Sequence, residues 1–424
     1  MRLHEFTTPR AVPRHTCAIS PGKHCPLFGA GGVLRGVSGI TLLYLGTQDC
    51  VYYAQKMALE QQLSSPAGRD LSRVLAIQLS DADLIFGIRP QLEALLSEEA
   101  HRPDTKGIFL VTSCSVEVLS EDLQAVVDTV QRQTKKKIQL ISTENFKTFS
   151  YFDGMEAALS ALVRSLKPIP RQEKTFAVVG VRHTGANQSE PVRLLQDNGY
   201  TLQSILPYDT SLDRIEALPG VSLILVLDGT GVAVAKTLEA EFGIPYVRFD
   251  EKLNLEKIIL GWRTLAKLTG LPLDTWISEQ QTQLLSLSQQ VRALVTGQTF
   301  FYSQVILYPF ETCLFLAQLG MVPTCLFLGS VMDHTDDARL ALSCLADPIL
   351  LQNASNDAVA AYLQELTPDY LIGSVGHFIQ DYPVSQVNFR TIPVNAGFAF
   401  YGNCLNQLLD AAQRRERGDF HASF

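Results

Sequence analysis

Short apolar runs alternate with helical patterns along the first part of the chain. The runs at 39–46, 107–113 and 138–142 have the length and composition of buried strands, and a segment with helical periodicity, 120–134, separates the last two. That segment opens with Ser120, a residue type that favours a helix N-terminus. Buried strands separated by helices predict parallel sheets joined by right-handed crossovers.

The same alternation begins again twice. Prolines interrupt the pattern at 166–174, and a long helical stretch at 254–296 precedes the last group of strands. We therefore predict an α/β protein of three doubly wound parallel-sheet domains, at 1–166, 167–275 and 276–424. The further predicted strands are 175–181, 222–228, 245–249, 304–310, 324–330 and 369–375, and the further predicted helices are 189–199, 232–243 and 358–366.

Composition and charge exclude several functional classes. The 424 residues are 46% apolar and 18% charged, which can support large buried cores. The formal net charge of −8 argues against a nucleic-acid-binding surface, because neutralising phosphates needs clustered Lys and Arg. Residues 1–14 are polar, unlike a secretory signal, and the most apolar stretch, 301–332, is interrupted by Pro309 and Glu311. These features predict a cytoplasmic protein that binds neither nucleic acid nor membrane.

The cysteines differ in their surroundings. A large cytosolic chain rarely uses cysteines in disulfides. Cys25, Cys50 and Cys114 lie beside Gly, Ser, Thr, Pro or Asp at the ends of apolar runs, where strands give way to loops. Four others lie inside apolar segments and are predicted to be small buried hydrophobes: Cys313, Cys325, Cys344 and Cys404.

Two of these cysteines follow predicted strands. Cys50 lies four residues after the strand 39–46, and Cys114 follows the strand 107–113 directly. Because ligands gather at the carboxyl ends of parallel strands, we expect both thiols to meet at one edge of the first sheet. Cys25 precedes its strand, in the glycine-rich segment CPLFGAGG, which predicts a tight backbone turn.

Three thiolates at one sheet edge suit a soft metal centre, either an iron–sulfur cluster or zinc. The spacings between the three cysteines match neither a zinc ribbon nor a ferredoxin motif. On this chemistry alone, a metal centre and three unrelated structural cysteines are equally good interpretations.

Three motifs around these cysteines resemble the cluster-binding segments of the nitrogenase component 1 superfamily. They are CPLFGA at Cys25, GTQDC ending at Cys50 and VTSCSVEVLSEDL around Cys114, in the family's order and with roughly its separations. LSDADLIFG (79–87) resembles a further family segment, and PDYLIGSVGHFIQ with IPVNAGFAF (392–400) is similar to the third domain of its β-type subunits. The resemblance covers nearly the whole chain and implies three Rossmann-like domains.

The resemblance implies that Cys25, Cys50 and Cys114 hold part of an iron–sulfur cluster, 4Fe–4S or 8Fe–7S, at the interface with a homologous subunit. It also implies an ATP-hydrolysing iron protein as the electron donor. A four-iron cluster needs a fourth ligand, and sharing at an interface explains why one chain supplies three thiolates. Cys17 is a possible fourth ligand, although a cysteine that does not bind the cluster is favoured. A homodimer, a heterodimer and a heterotetramer all fit.

The chain departs from the active-site subunits of true nitrogenases, which hold a large iron–sulfur cofactor with one Cys and one His. Leu227, Asp228 and Gly229 occupy the place of that Cys, and no His stands in GFAFYGN. The chain therefore shows no ligands for an iron–molybdenum type cofactor. It resembles electron-relay (β-type) subunits, or a subunit of a cofactor-free relative such as protochlorophyllide reductase. A scaffold subunit for iron–sulfur cofactor maturation is the alternative, and the substrate stays open.

Other motifs give weaker signals. Gly229 and Gly231 follow a strand and Asp250 follows the next one, as in an incomplete dinucleotide fingerprint, but a plain βα turn is favoured. No Walker A motif is present, so ATP use belongs to a partner. Three polar residues lie in loops at strand ends, where solvated or structural roles prevail: Arg182, His183 and His377.

Overall fold

The computed structural model describes residues 1–7, 25–63, 71–144, 150–181, 186–208, 210–303, 308–328, 336–352, 356–373, 384–389 and 396–419. The chain forms two compact units. The cysteine unit comprises Pro21–Ala186 and Leu195–Val247, and the C-terminal unit comprises Met1–Ser20, Asn187–Leu194 and Arg248–Phe424.

Among the described residues, the cysteine unit contains two four-stranded sheets and one two-stranded pair. Their orders are β3-β2-β4-β5, β10-β9-β6-β7 and β1-β8. The strands are β1 (Val37–Ser38), β2 (Ile40–Gly46), β3 (Arg73–Gln78), β4 (Gly107–Thr112), β5 (Lys137–Ser142), β6 (Thr175–Val181), β7 (Thr201–Pro207), β8 (Thr210–Ser211), β9 (Leu223–Val226) and β10 (Tyr246–Arg248). The last strand, β10, extends one residue past the end of the unit at Val247.

The first of these sheets is parallel throughout, and its two central strands are buried along their whole length. β2 pairs with β3 and β4, and β4 pairs with β5. Every residue of β2 and of β4 is buried, as expected for strands covered by helices on both faces. Leu92, Leu96 and Val127 of the helices Arg89–Ala100 and Leu123–Thr134 pack against this sheet.

The C-terminal unit contains one five-stranded parallel sheet among the described residues, in the order β13-β12-β11-β14-β15. Residues near the N-terminus cover the edge strand: the N–H of Leu3 donates to Pro348 O (3.1 Å) and the N–H of Leu350 donates to Met1 O (2.8 Å). The strands are β11 (Thr299–Ser303), β12 (Val322–Leu328), β13 (Ile349–Gln352), β14 (Tyr370–Gly373) and β15 (Ser385–Val387).

Helices connect the strands in both units. They are Pro26–Leu34, Gln48–Leu63, Asp81–Phe86, Arg89–Ala100, Cys114–Leu119, Leu123–Thr134, Tyr151–Val163, Glu190–Asp197, Leu212–Glu216, Val232–Phe242, Leu255–Thr269, Asp274–Val295, Pro309–Gln318, Asp336–Ser343, Asn356–Leu366 and Phe398–Glu416. Within the described part of the chain, none of them is both long enough and apolar enough to cross a bilayer.

The predicted fold class, parallel sheets wound with helices, is confirmed. Each large sheet lies within one of the three predicted domains, and the boundaries of those domains stay a prediction. Residues 304–307 of the predicted strand 304–310 lie outside the described residues; the end of that prediction is wrong, because Pro309 begins a helix, and the described strand β11 ends at Ser303. Proline is favoured in the first turn of a helix because its missing N–H costs nothing there.

Candidate metal centre

The edge of the first sheet between β2 and β4 is a topological switch point. β2 and β4 are neighbours in this sheet. After β2 the chain continues to β3 on one side of this pair, and after β4 it continues to β5 on the other side. Ligands of open α/β sheets bind in the crevice that this arrangement creates beyond the carboxyl ends of the strands. β2 ends at Gly46 and β4 at Thr112, and Cys50 and Cys114 follow at this edge.

All three candidate cysteines stand where a helix begins. Cys25 is the N-cap of the helix Pro26–Leu34, Cys50 is the third residue of Gln48–Leu63, and Cys114 is the first residue of Cys114–Leu119. The first turn of a helix presents N–H groups and the positive end of the helix dipole, which favour a thiolate over a thiol.

The predicted tight turn at CPLFGAGG is wrong, because the segment forms the helix Pro26–Leu34. Its glycines instead allow a close helix–helix contact. A Cβ on Gly29 would lie 1.9 Å from Tyr151 O, and a Cβ on Gly154 would lie 1.9 Å from Pro26 O. Glycine at these positions therefore brings the helix that follows Cys25 against the helix Tyr151–Val163, which fixes where Cys25 lies.

The three thiols influence one another electrostatically. Burial raises the pKa of Cys25 to about 11; the N–H groups of Leu27 and Phe28 oppose this, and the thiols of Cys114 and Cys50 add to it. Burial also raises the pKa of Cys50, where a hydrogen bond from Thr47 opposes the rise and Cys114 adds to it. The three cysteines that the sequence singled out thus converge, and each keeps part of its surface exposed.

The donor set fits a polynuclear cluster better than a single ion. Among the described residues, no three His, Cys, Asp or Glu side chains are close enough together to hold one metal ion. A zinc ion with Zn–S bonds of about 2.3 Å needs its sulfurs within about 4 Å of each other. In an iron–sulfur cluster each thiolate binds a different iron, so the sulfurs lie farther apart. Three soft donors at one partly exposed edge suit that requirement.

Small and hydroxyl-bearing residues surround Cys50 and Cys114. A Cβ on Gly46 would lie 2.6 Å from Ser113 Oγ and 3.4 Å from Cys50 Cβ, so the chain needs glycine there. The hydroxyl groups of Ser113 and Ser115 hydrogen-bond each other at 2.9 Å. Gly46 and Thr47 belong to the GTQDC motif that the sequence analysis named, but that analysis assigned a role in the motif only to Cys50.

Exposed apolar side chains flank this edge. Tyr52 follows Cys50 on its helix and Val118 follows Cys114 on its helix. On the helix Asp81–Phe86, which follows β3 at the same edge, Ile85 is 74% exposed and Phe86 is 85% exposed. We call these four residues the apolar rim.

The remaining candidate residues either have other roles or lie outside the described part of the chain. Asp228 Oδ1 accepts hydrogen bonds from the N–H and the hydroxyl of Thr230, at 3.2 and 2.8 Å. Arg248 binds both carboxylate oxygens of Asp250, at 2.9 and 2.8 Å, so that carboxylate is not free for a ribose. These contacts favour the plain βα turn. Four candidates lie outside the described residues: Cys17, Arg182, His183 and His377.

Burial separates the remaining cysteines. Cys313, Cys325 and Cys404 are fully buried, as predicted. The prediction for Cys344 is wrong, because this residue is exposed just beyond the C-terminal end of the helix Asp336–Ser343.

Comparisons with known proteins identify the family of the chain and its fold. Residues 25–389 match the model of the family described as Nitrogenase component 1 type Oxidoreductase. The chain is 21% identical over 335 residues to the nitrogenase molybdenum-iron protein alpha chain of Clostridium pasteurianum, covering 77% of this chain and 58% of that protein. It is 27% identical over 251 residues to the nitrogenase iron-molybdenum cofactor biosynthesis protein NifE of the same organism, covering 56% and 54%.

A third relative is a subunit of the light-independent protochlorophyllide reductase of Adiantum capillus-veneris, 25% identical over 289 residues, covering 62% of this chain and 54% of that protein. The chain thus spans little more than half the length of these three curated relatives. The solved structure described as nitrogenase Cp1 at pH 5 has a TM-score of 0.63 and 16% identity, covering 95% of this chain and 90% of that one. This likeness confirms the fold.

Proposed function

Because the chain belongs to the nitrogenase component 1 type oxidoreductases, we propose that it is a subunit of a nitrogenase-like, ATP-dependent two-component reductase. Cys25, Cys50 and Cys114 hold part of an iron–sulfur cluster, 4Fe–4S or 8Fe–7S. Electrons arrive from an ATP-hydrolysing iron protein and pass through this site to a substrate site elsewhere in the complex. The observation that supports this proposal is the convergence of three thiols at the switch point of the first sheet.

The incomplete ligand set supports a homologous subunit as a partner. Three thiolates leave a four-iron cluster one ligand short. The three cysteines are partly exposed, and the apolar rim beside them offers large side chains to a protein surface. A second component 1 subunit that docks at this edge completes the cluster and covers the rim.

The chain itself offers no match for an iron–molybdenum type cofactor at the place where the family resemblance puts its Cys ligand. Asp228 stands there; it is 6% exposed, and its Oδ1 is engaged by Thr230. A carboxylate is a hard oxygen donor, whereas iron–sulfur chemistry calls for soft thiolate. The proposed role is therefore electron relay, with substrate bound by the partner or at the subunit interface.

A scaffold for iron–sulfur cofactor maturation is the second candidate. The similarity to the cofactor biosynthesis protein NifE favours it. A relay subunit keeps its cluster through repeated turnovers, whereas a scaffold passes its cofactor on. Full retention of the three cysteines leads us to prefer the relay.

The first experiment measures iron and acid-labile sulfide per chain. The protein is purified strictly anaerobically together with its homologous subunit, and Cys50→Ala is compared with Cys344→Ala, which removes an exposed cysteine far from the site in sequence. We expect iron and sulfide in near-equal amounts in the wild type and Cys344→Ala, and loss of both in Cys50→Ala, because each thiolate holds one iron.

The iron count then separates a four-iron from an eight-iron cluster. A wild-type complex without iron would make the three cysteines structural and end the relay proposal. Transfer of both iron and sulfide from the complex to an acceptor protein would favour the scaffold instead.

A further inference from the structure

The helix Asp81–Phe86 carries Ile85 and Phe86 of the apolar rim, and we call it the rim helix. None of its six residues is buried, so burial of apolar surface contributes little to holding it in place. The buried residues of this segment lie on either side of the helix: Leu79 is 7% exposed and Ile88 is 1% exposed. The position of the rim helix therefore depends on how these two ends are fixed.

The two ends of the rim helix are fixed by different kinds of hydrogen bond. At the first end, the N–H of Leu79 donates to the carbonyl oxygen of Gly46 at 2.9 Å, a bond between backbone groups. At the other end, the N–H of Ile88 donates to both carboxylate oxygens of Glu121, at 3.0 and 3.2 Å. Hydrogen bonds to a carboxylate are stronger than those between neutral groups, and this one depends on a single side chain.

Glu121 belongs to the segment that follows Cys114. It lies two residues beyond the end of the helix that Cys114 begins. Gly87, the residue after the rim helix, makes room for it, because a Cβ on Gly87 would collide with Glu121 Oε1. Gly87 has a φ of 83°, a conformation that glycine adopts without strain. One carboxylate thus links the segment of Cys114 to the end of the rim helix at which Phe86 lies.

We propose that Glu121 is a positioning residue that holds the rim helix in the orientation in which a protein partner docks on it. This inference rests on the proposed function and on the apolar rim as a docking surface. Without the carboxylate, the N–H of Ile88 loses its acceptor, and the last turn of the rim helix moves relative to Cys114. The docking orientation is then populated for only part of the time, which weakens association in proportion. The three thiols are not changed.

The test compares Glu121→Ala with Glu121→Gln, because glutamine keeps an amide oxygen that can accept the same N–H. Glu93→Ala, at an exposed position of the helix Arg89–Ala100, removes a carboxylate elsewhere and is the matched control. Two constants are measured with anaerobically purified protein. They are the dissociation constant of the homologous subunit, by sedimentation, and the iron-protein concentration that gives the half-maximal rate of reduction.

We expect Glu121→Ala to raise at least one of these constants by about threefold to tenfold, the effect of losing one hydrogen bond. Iron per chain and the maximal rate of reduction should stay at the wild-type values. Glu121→Gln and Glu93→Ala should leave both constants close to the wild type. Unchanged constants in Glu121→Ala, whatever its thermal midpoint, would overturn the inference and leave Glu121 with a structural role alone.

Combination with Phe86→Asp shows whether Glu121 acts through the rim. If it does, adding Glu121→Ala to Phe86→Asp weakens association by less than about twofold more, because the two residues serve one contact. Losses that multiply would overturn the inference, and so would a Phe86→Asp variant that binds both partners normally. A wild-type complex without iron would contradict the proposed function instead, and the dissociation constant of the homologous subunit would still test Glu121.

Discussion

At the scale of single residues, the candidate centre depends on hydrogen-bond donors that stabilise the thiolate form of partly buried cysteines. Burial raises the pKa of Cys25 and of Cys50, which by itself makes each a poorer thiolate. N–H donors from Leu27 and Phe28 and the hydroxyl of Thr47 act in the other direction. Positively charged iron would lower the pKa of these thiols more strongly than the hydrogen-bond donors do. A bound cluster would therefore keep the cysteines in the thiolate form.

A second residue-scale case lies in the C-terminal unit. Burial raises the pKa of Glu311 to about 8, with further contributions from Glu251 and Asp250, while the N–H of Leu253, 3.0 Å away, and Lys252 oppose the rise. The native protein therefore keeps a proton on Glu311 that the unfolded chain releases.

We predict that Glu311→Gln flattens the pH dependence of stability. Because the pKa of this carboxyl is higher in the folded state than its ordinary value of 4.5, stability is lost as the pH rises from about 4.5 to about 8. The loss is on the order of a few kcal/mol, since one pKa unit corresponds to about 1.4 kcal/mol. Glutamine cannot ionise, so the thermal midpoint of the variant should exceed that of the wild type increasingly toward pH 9.

Glu365→Gln, at an exposed position of the helix Asn356–Leu366, is the control for this experiment and should follow the wild type at every pH. A constant difference in thermal midpoint between Glu311→Gln and the wild type from pH 5 to pH 9 would contradict the prediction.

At the scale of elements, the contact between the helices Pro26–Leu34 and Tyr151–Val163 depends on glycine. We predict that Gly154→Ala destabilises the protein by about 1–3 kcal/mol, because the new Cβ meets the backbone of Pro26, which cannot rotate away as a side chain would. This loss exceeds the gain of about 1 kcal/mol that alanine brings to a helix interior. The thermal midpoint and the iron content of the complex should both fall, since Cys25 lies at the start of the displaced helix.

Gly402→Ala is the matched helical substitution. Its Cβ would meet only the end of the Leu284 side chain, at 3.1 Å, and the midpoint should stay the same or rise. Equal behaviour of the two variants would show that the helix contact does not need glycine.

The elements also show what the pattern of residues could predict. β2, β4 and β6 were predicted to within about two residues, because strands buried on both faces are continuous apolar runs. The pattern missed β3 and β7, which both lie at sheet edges. An edge strand is covered less, so its apolar positions are interrupted by polar ones, as in RVLAIQ. Local sequence does not record which strand becomes an edge.

The same limit applies to the candidate centre. The position of Cys50 and Cys114 at one edge could be predicted from sequence because each comes within four residues of the end of a buried strand, and parallel strand ends share one edge. The helix after Cys25 could not, because its glycines disfavour a helix locally and only the distant helix Tyr151–Val163 makes them necessary.

At the scale of the whole molecule, the apolar rim carries the last prediction. An exposed phenylalanine beside an exposed isoleucine on a short helix costs solubility unless a partner covers it. Phe86→Asp places a charge in that contact, and we expect it to weaken association with at least one of the two proposed partners, the homologous subunit or the iron protein, by about tenfold or more. Leu260→Asp, at a 58% exposed position of the C-terminal unit, is the control and should leave both associations intact.

Anaerobic co-purification measures the first association, and the rate of ATP-dependent reduction at limiting iron protein measures the second. Because the rim flanks the cysteines, loss of the homologous subunit should also lower the iron content, whereas a weaker iron protein contact should slow reduction of a fully loaded cluster. The two readouts therefore assign the rim to one partner. If Phe86→Asp matches Leu260→Asp in both, the rim lies outside every interface of the complex, and the missing cluster ligand has to reach the three thiols from another direction.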